Sequence, residues 1–135
     1  MEVLRSNALT KDGLFIAGIT LYWAEGSKTT DGTVDFANSD PKMVKLFLRY
    51  LRECCRVAED KLRILLYCYA NQDIEKLKNY WSKVTKIPVN QFTKPYKRKD
   101  FLEEKVDKLP KGLVHIRYSD KKLLNQILDM IDVLE

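Results

Sequence analysis

The run Leu14-Phe15-Ile16-Ala17-Gly18-Ile19-Thr20-Leu21-Tyr22-Trp23-Ala24 carries no charge and passes directly into Glu25-Gly26-Ser27-Lys28. A helix that is apolar on every side belongs in a core or an interface, and eleven residues cannot span a bilayer. Gly13, Ala17, Thr20 and Ala24 recur at spacings of four, three and four, so they form a narrow stripe, bordered by Leu21, along which a second helix can approach closely. Tyr22 and Trp23 read as core residues of this helix. Glu25 falls at the C-terminal end, where the helix dipole disfavours an acid by a few tenths to about 1 kcal/mol. Gly26 supplies a helix stop. A carboxylate held in an unfavourable place points to a partner cation.

Outward from this helix, Asp31-Gly32 is a strong hairpin signal, and it predicts two antiparallel strands, 27–30 and 33–37. Val34 and Phe36 share the covered face, with Thr33, Asp35 and Ala37 on the other. Asp40-Pro41 is an N-cap followed by proline at the first helical position, and the helix behind it turns Met43, Val44, Phe47, Leu48 and Leu51 to one side. From Lys61 to Tyr69 the chain alternates again. Leu62, Ile64, Leu66 and Cys68 face inward, whereas Lys61, Arg63, Leu65, Tyr67 and Tyr69 face outward. Ile74, Leu77, Trp81 and Val84 mark a second covering helix that ends before Pro88. Residues 88–112 read as a long loop holding the basic run Lys94-Pro95-Tyr96-Lys97-Arg98-Lys99, and a loop of that length in a compact domain is functional or disordered. A last strand, 113–118, turns Val114, Ile116 and Tyr118 inward and His115 and Arg117 outward. Ser119 then caps a final helix with Leu123, Leu124, Ile127, Leu128, Ile131 and Leu134 on its apolar face.

The 135 residues make one domain, 1–135, of α+β class, in the order helix, two strands, helix, strand, helix, long loop, strand, helix, with no internal repeat. Twenty-four Lys and Arg against nineteen Asp and Glu leave a net charge of +5, which favours a polyanionic partner. Met1 to Lys11 is mixed and polar rather than signal-like, predicting an intracellular, cytoplasmic protein without a membrane partner. Cys54, Cys55 and Cys68 have neither zinc nor redox spacing and read as reduced, packed thiols.

Gly18-Ile19-Thr20-Leu21-Tyr22-Trp23-Ala24-Glu25-Gly26, with Asn38-Ser39-Asp40-Pro41 after it, resembles the motif of the LAGLIDADG homing endonucleases in a compact single-motif form. Trp23 stands where the motif has its first acid, Thr20 where it has its close-packing glycine, and Lys28 where many members have an apolar residue. The resemblance implies an αββαββα fold with a curved antiparallel four-stranded sheet, covered by helices, whose outer face lies in the DNA major groove. It also implies a homodimer packed through Gly13, Ala17, Thr20, Leu21 and Ala24, with Glu25 as the metal-binding acid for Mg2+ or Mn2+. Oxygen ligands suit these ions, and phosphodiester hydrolysis needs the charge stabilisation they give. The expected DNA contacts are Ser27, Lys28, Thr29, Lys61, Arg63, Tyr67, Tyr69, Lys94, Lys97, Arg98, Lys99, His115 and Arg117. Lys94 or Lys97 is the candidate basic residue near the scissile phosphate, with Lys28 competing for that role. The expected function is cleavage of a near-palindromic double-stranded DNA site. A non-catalytic DNA-binding regulator of the same fold is the alternative, and an interaction domain for an acidic protein is a third reading.

Overall fold

The computed structural model describes residues 10–29, 31–98 and 109–135. Four helices and a mixed four-stranded sheet form an α+β fold: α1 (Lys11–Glu25), β1 (Thr33–Asn38), α2 (Pro41–Arg49), β2 (Arg63–Tyr69), α3 (Ile74–Thr85), β3 (Tyr96–Arg98), β4 (Leu113–Ser119) and α4 (Lys121–Leu134). The strand order is β1-β4-β2-β3. β4 runs antiparallel to both of its neighbours, and β3 lies parallel to β2.

Strand alternation builds the core. Val34, Phe36, Ile64, Leu66, Cys68, Val114, Ile116 and Tyr118 are buried, and all four helices cover that one face with Leu14, Ile19, Tyr22, Val44, Phe47, Leu48, Leu77, Trp81, Leu124, Ile127 and Ile131. Phe36 stacks on Phe47 at 4.3 Å, and Tyr22 on Phe47 at 5.8 Å, so the aromatic centre of the core joins β1, α1 and α2. Local signals set the helix starts. Asp40 Oδ1 accepts from the Lys42 amide with Pro41 beginning the helix, Asp73 Oδ1 accepts from Lys76, and Asp120 Oδ1 accepts from Leu123. The last cap is therefore Asp120, not Ser119, which ends β4.

α1 differs from a helix buried all round. Leu14, Gly18, Ile19 and Tyr22 face the core, while Phe15, Ile16 and Trp23 are 36%, 48% and 39% exposed. Trp23 is thus not a core residue. An uncharged sequence cannot say which of its sides meets the sheet and which stays open among the described residues. The closest approach also falls elsewhere than on the small-residue stripe: a Cβ on Gly18 would stand 2.0 Å from Cγ of Tyr50. Tyr50 opens a widened helical turn, Tyr50–Cys54, that continues α2 and brings its ring against α1.

Two further expectations are corrected at the sheet edges. Residues 27–29 form no strand; only Gly26 bridges Phe36, and the Ser27 amide donates to Asp35 O at 2.8 Å. Ser27 Oγ bonds Thr29 Oγ1 at 3.1 Å and Lys28 Nζ donates to Gly26 O at 3.2 Å, local bonds that compete with a ladder. The Asp31-Gly32 turn does form, with Gly32 at φ 87 and Asp31 Oδ1 accepting from the Thr33 amide. The fourth strand comes instead from the basic run, as β3. The sheet is mixed rather than wholly antiparallel because this three-residue segment adds in parallel to the open edge of β2. A short strand of cations next to a proline is a common way to guard such an edge.

Candidate nucleic-acid interface

The sheet face opposite the helices carries the candidate site. Arg63, Leu65 and Tyr67 of β2, His115 and Arg117 of β4 and Thr33, Asp35 and Ala37 of β1 alternate with the buried set, as the period of two requires. Arg63 and Arg117 are directly opposite each other across β2 and β4, and Arg117 is opposite Asp35 across β4 and β1. Like charges set opposite one another destabilise a sheet. Asp35 offsets part of this: its Oδ1 lies 2.8 Å from His115 Nδ1 and its Oδ2 lies 3.4 Å from Arg117 Nε. Arg63 Nη1 donates to the carbonyls of Asp60 and Leu62, which ties its side chain at the start of β2.

An aromatic ladder continues the face. Tyr96 of β3 stacks on Tyr67 at 4.7 Å, and Tyr67 lies 4.9 Å from the His115 ring. Tyr96, 53% exposed, was not legible as part of the site, since a three-residue alternation inside a basic run gives no periodic signal.

The structure distributes the expected DNA contacts unevenly. Arg63, Tyr67, His115 and Arg117 share the outer face, and Arg98, paired with Tyr69, follows them on β3. Ser27, Lys28 and Thr29 gather beyond β1, at the exit of α1. Three expectations are corrected. Tyr69 is only 5% exposed, because β3 covers the edge it would otherwise face. Lys61 belongs to a tight turn, Glu59–Lys61, ahead of β2 rather than to the strand. Lys97 pairs with the buried Cys68 and so points to the helix side of the sheet, away from Arg63 and Arg117. Lys99 lies outside the described residues.

Glu25 ends α1 and is exposed; the next residue, Gly26, is bridged to β1. The buried Tyr22 hydroxyl fixes this exit by donating to Ser27 O at 2.5 Å and accepting from the Asp35 amide at 3.2 Å. Burial is the main reason the Tyr22 phenol is held above its ordinary pKa, so it stays a neutral donor. Lys94 and Lys97 are at the opposite edge, three strand spacings or about 14 Å from β1, so neither meets Glu25 over one phosphate within a chain. Lys28 follows Glu25 by three residues and donates to Gly26 O, which keeps it at the same helix exit.

Among the described residues, no three His, Cys, Asp or Glu side chains converge. The donor set at the exit of α1 is a single carboxylate, which suits an ion that keeps most of its ligands as water and not one needing a protein cage. The cysteines offer no alternative chemistry. Burial pushes all three thiols above their ordinary pKa, which suppresses the thiolate, and they pack as the sequence suggests. No helix among the described residues is long and apolar enough to cross a membrane.

The expected small-residue interface is partly free. Thr20 and Ala24 are exposed and Gly13 and Ala17 half-buried, whereas Leu21 packs against the core and leaves the stripe. No family model, curated protein or solved structure matches the chain.

If the outer face binds duplex DNA, the double variant Arg63→Ala and Arg117→Ala loses about 1–3 kcal/mol of specific binding per base-reading arginine, with melting unchanged or raised because an opposed pair of like charges is gone. Fluorescence anisotropy together with thermal melting checks this. Unchanged DNA affinity in a folded double variant moves the interface to another surface.

Proposed function

We propose that the chain is a homodimeric, metal-dependent endonuclease of the LAGLIDADG kind that binds and cuts a near-palindromic duplex site. The observation that carries this reading is the pair of opposed arginines on an open sheet face, a like-charge arrangement that a polyanion laid over it relieves. The exit of α1 adds support, since Glu25 ends that helix at the β1 edge of the sheet and Lys28 follows three residues on.

Glu25 is the residue that would hold Mg2+ or Mn2+, which supplies Lewis-acid stabilisation of the phosphoryl oxygens and an activated water when bound. One carboxylate per chain makes a second copy necessary if two acids are to stand over the two strands. Lys28 takes the role of the cation beside the scissile phosphate. Lys94 and Arg98, on the far edge, contact the DNA backbone instead, and Lys97, turned to the helix side, takes no part.

The dimer forms along Gly13, Ala17, Thr20 and Ala24, flanked by the exposed Ile16 and Trp23, so an uncharged face runs the length of α1. Ala24→Glu changes an exposed side chain and spares the fold, but it sets an unpaired charge in the contact at a cost of several kcal/mol. Sedimentation is expected to show the wild type as a dimer and the variant as a monomer. A wild-type monomer at micromolar concentration, with and without DNA, removes the two-acid site.

Trp23, in the position of the motif's first acid, favours a second reading in which the fold binds DNA without cutting it. Incubation of a randomised duplex library with magnesium or manganese separates the two. Nicking supports the endonuclease, and specific binding without nicking supports the regulator. Absence of salt-dependent duplex binding overturns both and leaves an acidic protein as the partner.

A further inference from the structure

The Asp35 side chain is the one carboxylate placed among the cations of the outer face, with both oxygens engaged and 21% of its surface exposed. A carboxylate on a surface that attracts phosphate weakens nonspecific attraction, so its place there calls for a role of another kind. Its two contacts supply one. A carboxylate offers only lone pairs, so His115 Nδ1, at 2.8 Å, carries the proton in this bond. In the neutral ring Nε2 is then an acceptor, and no described residue engages it. The plane of that ring is set independently by Tyr67, at 4.9 Å and 33° between planes. Orientation and tautomer are thus fixed from different strands.

Arg117 is constrained by the same carboxylate. Its Nε is buried, 3.4 Å from Asp35 Oδ2, in an ion pair that lacks hydrogen-bond geometry, while 38% of the side chain is exposed. With Nε buried, the terminal nitrogen fork carries the donors left for a ligand. Held at Nε, the guanidinium can meet DNA only end-on, with that fork forward.

We propose that Asp35 is a positioning residue for base readout: it presents His115 Nε2 as an acceptor for the exocyclic amine of adenine or cytosine, and it aims the Arg117 fork at O6 and N7 of guanine. This rests on the reading of the outer face as a duplex-DNA surface. The chemistry follows from the groove code, in which adenine N6 and cytosine N4 donate, whereas guanine O6 and N7 and thymine O4 only accept. An acceptor at His115 therefore rejects guanine and thymine on the contacted strand. His115 and Arg117 are two residues apart on β4, about 6.8 Å along the strand, which spans about two base-pair rises when the strand follows the groove.

The test begins without DNA. His115 is the one histidine of the chain, so nitrogen-15 NMR reads its tautomer without assignment, at a pH where the ring is neutral. The wild type and Asp35→Asn, whose amide oxygen still accepts from Nδ1, are expected to show the Nδ1–H form; Asp35→Ala is expected to revert to the Nε2–H form that dominates in water. A wild type already in the Nε2–H form overturns the proposal. Selection from a randomised duplex pool then reads specificity. Asp35→Ala is expected to flatten preference roughly tenfold at two positions about two steps apart, which corresponds to about 1.4 kcal/mol per base contact, with nonspecific affinity kept or raised. Asp35→Asn flattens only the guanine position.

An unchanged profile in a folded Asp35→Ala, or an equal loss on every sequence, overturns the positioning role and leaves the duplex reading standing. Wild-type protein that shows the Nδ1–H form yet binds no duplex overturns the duplex reading, and the base readout falls with it. The variants keep the backbone bonds from Ser27 and Tyr22 to residue 35, since these use its main-chain atoms.

Discussion

Glu25→Gln is expected to remove cleavage of duplex DNA by at least about a hundredfold while folding and metal-free DNA binding persist, because the amide keeps the size and hydrogen bonding of the acid but cannot hold the charge-stabilising metal. Stability should be equal or slightly raised, since the neutral side chain no longer opposes the negative end of α1. The measurement is nicking of a selected duplex with magnesium, paired with anisotropy in chelator. Glu25 is exposed and the Tyr22 hydroxyl, not the carboxylate, fastens the helix exit, so a folding defect is not the expected cause of lost activity. Persistent cutting by the variant assigns the metal to another residue. A wild type that binds a specific site but never nicks it replaces the enzyme with the regulator.

The largest effect on stability is expected at Gly18. An added Cβ would stand 2.0, 2.2 and 2.5 Å from three atoms of the Tyr50 ring, and that ring is confined by Phe47 at 5.7 Å and Phe15 at 6.1 Å. Overpacking of this kind costs about 1–3 kcal/mol and sometimes more. Alanine would otherwise favour a helix interior over glycine by about 1 kcal/mol, so the sign of the change identifies which effect wins. Gly18→Ala is expected to be destabilising in the wild type and neutral or stabilising beside Tyr50→Ala, a coupling that chemical denaturation of the four-variant cycle measures. Equal effects in both backgrounds would remove Tyr50 as the reason for the glycine.

Gly18 also marks how far the sequence could be read. Spacing found the α1 helix, its small-residue stripe and the acid at its end, because these are properties of a single element. It could not find the inward approach of Gly18 to Tyr50, which depends on where the widened turn after α2 sets a ring thirty-two positions later. Alternation divided β2 and β4, seven residues each, into buried and outward sets, failing only at Tyr69, which ends β2 buried. The same reasoning failed at the margins: three residues of β3 are too few to show a period, and the hydroxyl bonds of Ser27 and Thr29 replace the ladder that the Asp31-Gly32 turn implies. Within the candidate site, Arg63, Tyr67, His115 and Arg117 follow from the period of two. The Asp35 contacts to two β4 side chains follow only from the register of β1 against β4, which no local signal encodes.

That register has a consequence for the order in which the molecule assembles. β4, the last strand in the chain, lies between β1 and β2 and pairs with both, and Thr33 meets Ser119 across a separation of 86 residues. During synthesis the edges of β1 and β2 that β4 fills therefore emerge unsatisfied, β2 having only the three residues of β3 on its other side, and the four-stranded sheet waits for residues 113–119 before it can close. Loop closure over such separations slows folding, and exposed edges in the interval invite association with other chains. The time those two edges stay open is a kinetic property, independent of how stable the finished fold is.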